Sequence, residues 1–189
     1  MKMLLHVCCG PCASGALPWW QENAGEVVPF FHNPNIHPFM EYRRRLTGAR
    51  EVAERCGTEL VADESYDPAE WFAAVAAPES GSRCRRCVGL RLERAAREAA
   101  ARGCDAFSTS LSISPWQDHE AIAEEGKRAG GLQGVEFAYQ DLRPVYATSR
   151  AVSREWGIYR QKYCGCLLSE WERYRGQVQP AGGGGPTRR

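Results

Sequence analysis

The sequence predicts an α/β domain: an open, mainly parallel five-stranded sheet with helices on both faces, followed by a C-terminal helical segment. Three observations predict it. Apolar runs of strand length alternate along the chain with longer segments whose apolar residues recur at helical spacing. Two junctions, Asp67-Pro68 and Ser114-Pro115, carry the residues of a helix start, a capping side chain followed by proline. The 189 residues suffice for one domain with a sizeable core, which we place over residues 1–176. Residues 177–189, with four consecutive glycines and a basic end, have too few apolar residues to fold around and are read as a disordered tail.

Met3 to Val7 is a short apolar run with no room for a helix before Gly10-Pro11, so it reads as a buried first strand. Cys8, Cys9 and Cys12 then sit on the turn into a first helix that Pro11 can open. Glu26 to Phe31 is the second strand, with Pro29 pointing to an edge or a bulge. It leads into the turn-rich loop His32 to Pro38. Phe39 to Cys56 carries a helical apolar stripe, with Arg43, Arg44 and Arg45 assigned to its solvated face. Thr58 to Ala62 is the third strand. Asp67-Pro68-Ala69-Glu70 starts a helix that packs through Trp71, Phe72 and Val75. The loop Pro78 to Ser82 precedes a long helix with Cys84 and Cys87 in its first turn, where both sulfurs can face the same way. Asp105 to Ser110 is the fourth strand, and Ser114-Pro115-Trp116-Gln117 has the form of the next helix start. Val135 to Tyr139 is the fifth strand, and beyond Pro144 come a helix over Ser149 to Trp156 and a last one through Leu168 and Trp171.

A net charge of +1 with 25% charged residues describes an ordinary soluble chain, and a local basic face for nucleic acid is compatible with it. No apolar run approaches the roughly 20 residues of a membrane span, and Met1 to Val7 is shorter than the roughly 7–15 apolar residues of a signal peptide. The expectation is a cytoplasmic protein with no membrane partner. Nine cysteines are an odd number, which argues against an all-disulfide framework. Cys56 and Cys104 stand alone after helical segments and read as small buried hydrophobes.

In a parallel sheet, ligands gather outside the carboxyl ends of the strands, near the point where strand order reverses. The loops after strands one, two and four are the cysteine turn, the His32-to-Pro38 loop and the Ser112-to-His119 segment, so topology puts them on one edge. Thiols at a helix start feel unpaired backbone N–H groups and the positive end of the helix dipole, which favour thiolate. Cys84-x-x-Cys87 joined to Cys8 and Cys9 offers four thiolates, enough for tetrahedral zinc or a four-iron cluster. Cys164-Gly165-Cys166 is a third group that can close a small disulfide or hold a second metal. Asp118 and His119 can supply a proton or a ligand at the same edge, or Asp118 can simply complement the helix dipole. His32 and His37 are expected to pack or hydrogen-bond within their loop. Arg83, Arg85, Arg86, Arg160 and Lys162 flank the thiols and would ring them with positive charge suited to an anionic substrate or an RNA backbone.

The motifs LLHVCCGPC, FFHNPNIHP, RCRRCVGLRLE, SLSISPWQDHE and YRQKYCGCLLSE together resemble the cobalamin-independent epoxyqueuosine reductases of the QueH type, over about Met3 to Glu172. The resemblance implies a metal-binding catalytic domain with a fold like that of adenine-nucleotide hydrolases, although cysteines replace a phosphate-cradling glycine loop and no ATP is expected. It implies reduction of the epoxide of epoxyqueuosine to queuosine at the tRNA wobble position. It further implies a [4Fe-4S] cluster on Cys8, Cys9, Cys84 and Cys87, and an external electron donor. Cys164 and Cys166 would act as a redox-active disulfide or as ligands to a second mononuclear metal, iron or zinc. Cys12, one helical turn beyond Cys9, is left outside the cluster set as a supporting thiol. On this reading Cys164, Cys166 and Asp118 are catalytic, while His119, Arg85, Arg86, Arg160 and Lys162 bind substrate. The competing functions are a zinc-stapled RNA-binding domain and a metal-free thiol–disulfide oxidoreductase.

Overall fold

The computed structural model describes residues 1–76 and 82–177. Four of the residues of the loop expected before the long helix, 78–81, and the tail after 177 lie outside the described residues. Five strands form one parallel sheet in the order β3-β2-β1-β4-β5, made of β1 (Lys2–His6), β2 (Glu26–Phe31), β3 (Val61–Ala62), β4 (Ala106–Thr109) and β5 (Glu136–Phe137). Strand order reverses at β1, which pairs with β2 on one side (Leu4↔Val28) and with β4 on the other (Leu4↔Phe107). The expected open α/β sheet is what forms.

The helices are α1 (Gly10–Ala24), α2 (Phe39–Arg55), α3 (Pro68–Ala76), α4 (Arg83–Ala101), α5 (His119–Gln133), α6 (Tyr146–Glu155) and α7 (Leu167–Tyr174). Side chains alternate across a strand, so β1 feeds two cores. Met3 and Leu5 pack with Ala13, Leu17 and Trp20 of α1 and with Leu46 and Val52 of α2. Leu4 faces the other way, against Val88 and Leu92 of α4, Phe107 of β4 and Ile122 of α5. Both faces of the sheet are therefore covered, as a parallel sheet requires.

Several boundaries differ from expectation, each for a local reason. Pro29 lies in a strand with neighbours on both sides, not at an edge. Phe30 O accepts from Val7 N, so Phe30 directs its polar groups to β1 and Pro29 directs its own to the β3 side. β3 begins its pairing only at Phe30↔Val61, so no partner meets the missing N–H. β3 itself is two residues rather than five because the Thr58 amide is bound to Ala53 O at the end of α2. β4 stops at Thr109, whose hydroxyl accepts from Leu111 N and opens a short 3-10 turn over Ser110–Ile113. Ser114 to Gln117 forms a turn rather than a helix start, with Gln117 N donating to Ser114 O. Asp118 caps α5 instead, through Oδ1 and Ala121 N at 2.9 Å. On α3, Trp71 is buried but Phe72 is 44% exposed and stacks on His37.

The α5–β5 contact depends on a missing side chain. A Cβ on Gly126 would stand 2.1 Å from a ring carbon of Phe137, whose ring is already packed on Phe107. Overpacking of this kind costs about 1–3 kcal/mol. Gly126→Ala should therefore lower the melting temperature by roughly 3–10 °C, whereas Gly131→Ala, where nothing lies within 4 Å, should not. Calorimetry of the two variants checks this.

Candidate metal centre and active site

The turn after β1 sits where the sheet reverses, and His6 ties it to both neighbours. Its Nδ1 is 2.8 Å from Thr109 Oγ1 at the end of β4, and its Nε2 is 3.2 Å from His32 O after β2. His32 O can only accept, so Nε2 carries the proton of a neutral ring and Nδ1 accepts from the threonine hydroxyl. Asn33 Nδ2 donates to Val7 O at 2.9 Å and holds the second loop against the first.

Cys8, Cys9 and Cys12 converge here, with their Sγ atoms within 4.8 Å of one another. Cys9 is the N-cap of α1 and Pro11 fills the first turn, which bends the chain back so that Cys12 returns to the same side. Ser110 Oγ accepts from Cys8 N at 3.0 Å and lies 3.3 Å from Cys8 Sγ, and Gln161 Nε2 donates to Cys9 Sγ at 2.9 Å. Hydrogen bonds from Cys12 and Cys8, together with the charge of Arg45, hold the Cys9 thiol well below its ordinary value despite burial. Hydrogen bonds to Cys8 and Cys9, and burial, push Cys12 well above it. Cys12 also pulls Cys8 down, but the bond to Cys9, burial and the Cys9 charge outweigh that pull and raise it. Three thiols so crowded accommodate one negative charge by themselves, and a cation is what would allow all three to ionise. The donor set, half-buried to buried and all sulfur, fits a thiophilic metal or an iron–sulfur cluster.

Cys84 and Cys87 are not drawn into that group. Both lie in the first turn of α4, yet they do not share an environment: Cys87 is buried with Trp71 and Cys166, while Cys84 is exposed beside Arg83. Cys164 is exposed and Cys166 buried, and all nine cysteines are free thiols. Gly165 between them has φ 147°, a conformation that favours glycine, and a Cβ there would stand 2.9 Å from Asn35 Nδ2. Cys166 caps α7 by accepting from Ser169 N. Gln117 Nε2 lies 3.8 Å from Cys164 Sγ, which joins the β4–α5 loop to this segment.

Two buried arginines organise the thiols, and sequence reasoning missed both. Arg45, assigned to a solvated face, is 3% exposed. Its Nε donates to Glu41 at 2.7 Å, while its terminal nitrogens donate to Cys164 O at 2.6 Å and Tyr163 O at 3.0 Å. Tyr159 Oη completes the pair by donating to the other Glu41 oxygen at 2.6 Å. Arg91, one turn beyond Cys87, is also 3% exposed and donates to Cys87 O. Burial opposes its charge, but the neighbouring sulfurs of Cys87, Cys164 and Cys8 favour it, and its pKa stands above the ordinary guanidinium value. A run of three arginines gave no signal for which one turns inward, whereas the i+4 spacing from Cys87 could have marked Arg91.

The other expected site residues divide. His119 is held between Tyr139 Oη (2.8 Å) and Ser114 O (3.0 Å). Asp118 Oδ1 caps α5, and no hydrogen bond to Oδ2 is formed among the described residues. Arg85 gives its guanidinium to Glu124 and Glu125 of α5, and Arg86 donates to Val75 O. Arg160 and Lys162 are exposed. His32 and His37 pack in their loop as expected, His37 against Trp71 and Phe72. Cys104 is buried and Cys56 half-buried against the core.

Removing Arg45 would leave the Glu41 carboxylate buried without its partner, a loss of about 3–5 kcal/mol. Arg45→Ala should show that loss in urea unfolding and should speed alkylation of Cys164, because two carbonyls beside it lose their anchor. A second outcome concerns acid. Burial pushes His32 down to about 4 against the pull of Asp63. A histidine kept neutral by folding contributes full stability above its unfolded pKa of about 6.5, and that contribution is lost as pH falls toward the folded value. The loss is about 2 kcal/mol by pH 5. Urea titrations at pH 7 and pH 5 should show it, and His32→Asn should reduce the pH dependence by about that amount, leaving the share of His6, which burial pushes down to about 3.

Residues 3–172 match the family described as Epoxyqueuosine reductase QueH. Among curated proteins, the chain is 43% identical over 180 residues to the Epoxyqueuosine reductase QueH of Dehalococcoides mccartyi, covering 95% of this chain and 98% of that one. It is 35% identical over 179 residues to the protein of the same name from Thermotoga maritima, covering 90% and 91%. With the one from Acinetobacter baylyi it shares 35% identity over 175 residues, covering 89% and 80%. No helix among the described residues is long and apolar enough to cross a membrane.

Proposed function

Because this chain belongs to the Epoxyqueuosine reductase QueH family, we propose that it is an oxidoreductase that reduces the epoxide of epoxyqueuosine to the alkene of queuosine at the wobble position of tRNA. The observation that carries the reading is the convergence of Cys8, Cys9 and Cys12 at the point where strand order reverses, inside the matched region. The reaction removes the epoxide oxygen as water and consumes two electrons and two protons. A four-iron cluster, when bound, supplies electrons one at a time from an external donor.

We assign its ligands to Cys8 and Cys9 with Cys84 and Cys87 of α4, and Cys12 supports Cys9 through the hydrogen bond that lowers its thiol. This assignment requires the first turn of α4 to present Cys84 and Cys87 to the triad when metal binds. Arg45 and Arg91 place positive charge beside the sulfurs and so favour their thiolate forms. Cys164 and Cys166 are assigned to the reductive step, as a dithiol that can close to a disulfide or as ligands to a second metal, iron or zinc. Asp118 Oδ2 is the atom left to hold a proton for the departing oxygen, and His119, fixed by Tyr139 and Ser114, presents its ring edge to the substrate. Arg160 and Lys162 lie exposed for the RNA backbone. Arg85 and Arg86 reach phosphate only by exchanging the partners they now hold.

Anaerobic purification tests the reading. A brown protein that reduces epoxyqueuosine in tRNA is expected, and a colourless zinc protein that binds RNA without turnover would overturn it. Cys84→Ser should bleach the protein and abolish turnover, while Cys104→Ser should leave both intact. Bleaching by Cys12→Ser with colour retained in Cys84→Ser would transfer the ligand role from α4 to the triad. Cys164→Ala and Cys166→Ala should keep the visible absorption and lose epoxide reduction, measured by nucleoside analysis of the tRNA.

A further inference from the structure

The loop between the Ser110–Ile113 turn and α5 carries an indole to the rim of the thiol site and leaves it in water. Trp116 is 85% exposed, more than any other large apolar side chain among the described residues, and it forgoes the burial that Trp20 and Trp71 achieve. The backbone beneath it is fixed. Trp116 N donates to Ser114 Oγ and Gln117 N to Ser114 O, both at 3.3 Å, and Ser114 O also takes the His119 ring at 3.0 Å. The next residue, Gln117, reaches Cys164 Sγ at 3.8 Å. That contact sets the loop against the segment that bears Arg160 and Lys162, both exposed. An exposed indole on a hydrogen-bonded loop, two cations and an exposed sulfur thus share one margin of the protein.

Those are the elements that grip single-stranded nucleic acid, in which bases stack on aromatic rings and phosphates meet lysine and arginine. We infer that Trp116 stacks on a nucleobase adjoining the modified one in the anticodon loop, while Arg160 and Lys162 hold the intervening phosphates. The inference rests on the tRNA reading above and deepens it. For the epoxide to reach the sulfurs, its nucleoside must leave the stack of the loop, and the neighbouring base then loses a partner. The indole replaces that partner.

The test is binding of an anticodon stem-loop RNA to the anaerobically prepared protein, followed by fluorescence anisotropy. Trp116→Ala should weaken binding about tenfold or more, Trp116→Phe should retain most of the affinity, and both should keep the visible absorption. In stem-loops where one base flanking the modified position is replaced by an abasic site, the parental protein should lose a similar factor at one of the two flanks, and Trp116→Ala should be indifferent to that replacement. Under turnover, the loss in Trp116→Ala should fall chiefly on KM. Parental affinity in Trp116→Ala, or equal sensitivity of both proteins to the abasic site, would overturn the inference and leave the tRNA reading standing. A parental protein that binds the stem-loop no better than an unrelated hairpin would overturn both.

Discussion

The buried ion pair between Glu41 and Arg45 is the interaction on which the shape of the site depends. Taking two charges out of water costs several kcal/mol per ion, and their attraction offsets this only when the remaining hydrogen-bonding positions are filled. Here they are: Arg45 divides its donors among Glu41 and the carbonyls of Tyr163 and Cys164, and Glu41 takes the Tyr159 hydroxyl. The pair begins as an i,i+4 contact within α2 and ends by fixing a segment more than a hundred residues away. The Tyr163 hydroxyl donates in turn to His37 O, and His37 N to Gly165 O, so the loop after β2 and the C-terminal segment are bound edge to edge. Gln161, between residues held in this way, donates to Cys9 Sγ.

The second constraint is the crowding of sulfur at the switch point. Reversal of strand order at β1 opens a crevice that β2 and β4 cannot close, and the sequence fills it with Cys8, Cys9 and Cys12. Mutual hydrogen bonding stabilises one thiolate among the three and discourages the others. The surrounding charge runs the other way. Arg45 acts on Cys9, and Arg91 stands among Cys8, Cys87 and Cys164. Arginine suits this role because burial cannot strip its proton. The positive potential is therefore permanent, and it favours whatever anionic sulfur arrangement a metal would complete.

Most of the fold was legible because it follows from local rules. Short apolar runs gave the strands, Pro11 gave the start of α1, and the Asp67-Pro68 cap-and-proline pair gave α3. Helix–strand alternation gave the parallel sheet, and with it the edge where the thiols meet. The misreadings came from long-range partners. Pro29 looked like an edge residue because the sequence does not show that β3 is only two residues long. Arg45 looked solvated because its partners Tyr163 and Cys164 lie far along the chain. The Ser114-Pro115 pair imitated a helix start, but Asp118 is the better-placed cap, and the turn before it is what frees Trp116. Within the site, residue types were readable while groupings were not. Cys12 stands beside Cys8 and Cys9, whereas Cys87 keeps company with Cys166 and Trp71.

That grouping also separates the two thiols of the Cys164-Gly165-Cys166 segment. Cys166 is buried, caps α7 and accepts from Ser169 N, so its sulfur already has a structural partner. Cys164 is exposed, and its backbone carbonyl is anchored by Arg45 while its sulfur accepts one hydrogen bond among the described residues, from the amide of Gln117. A thiol with a fixed backbone and a lightly held side chain can approach a reacting group without disturbing the fold. Cys164 has that freedom and Cys166 does not. In the proposed redox pair, Cys164 is the member placed to reach outward. Cys166, buried beside Cys87 and Trp71, is the member that faces the interior.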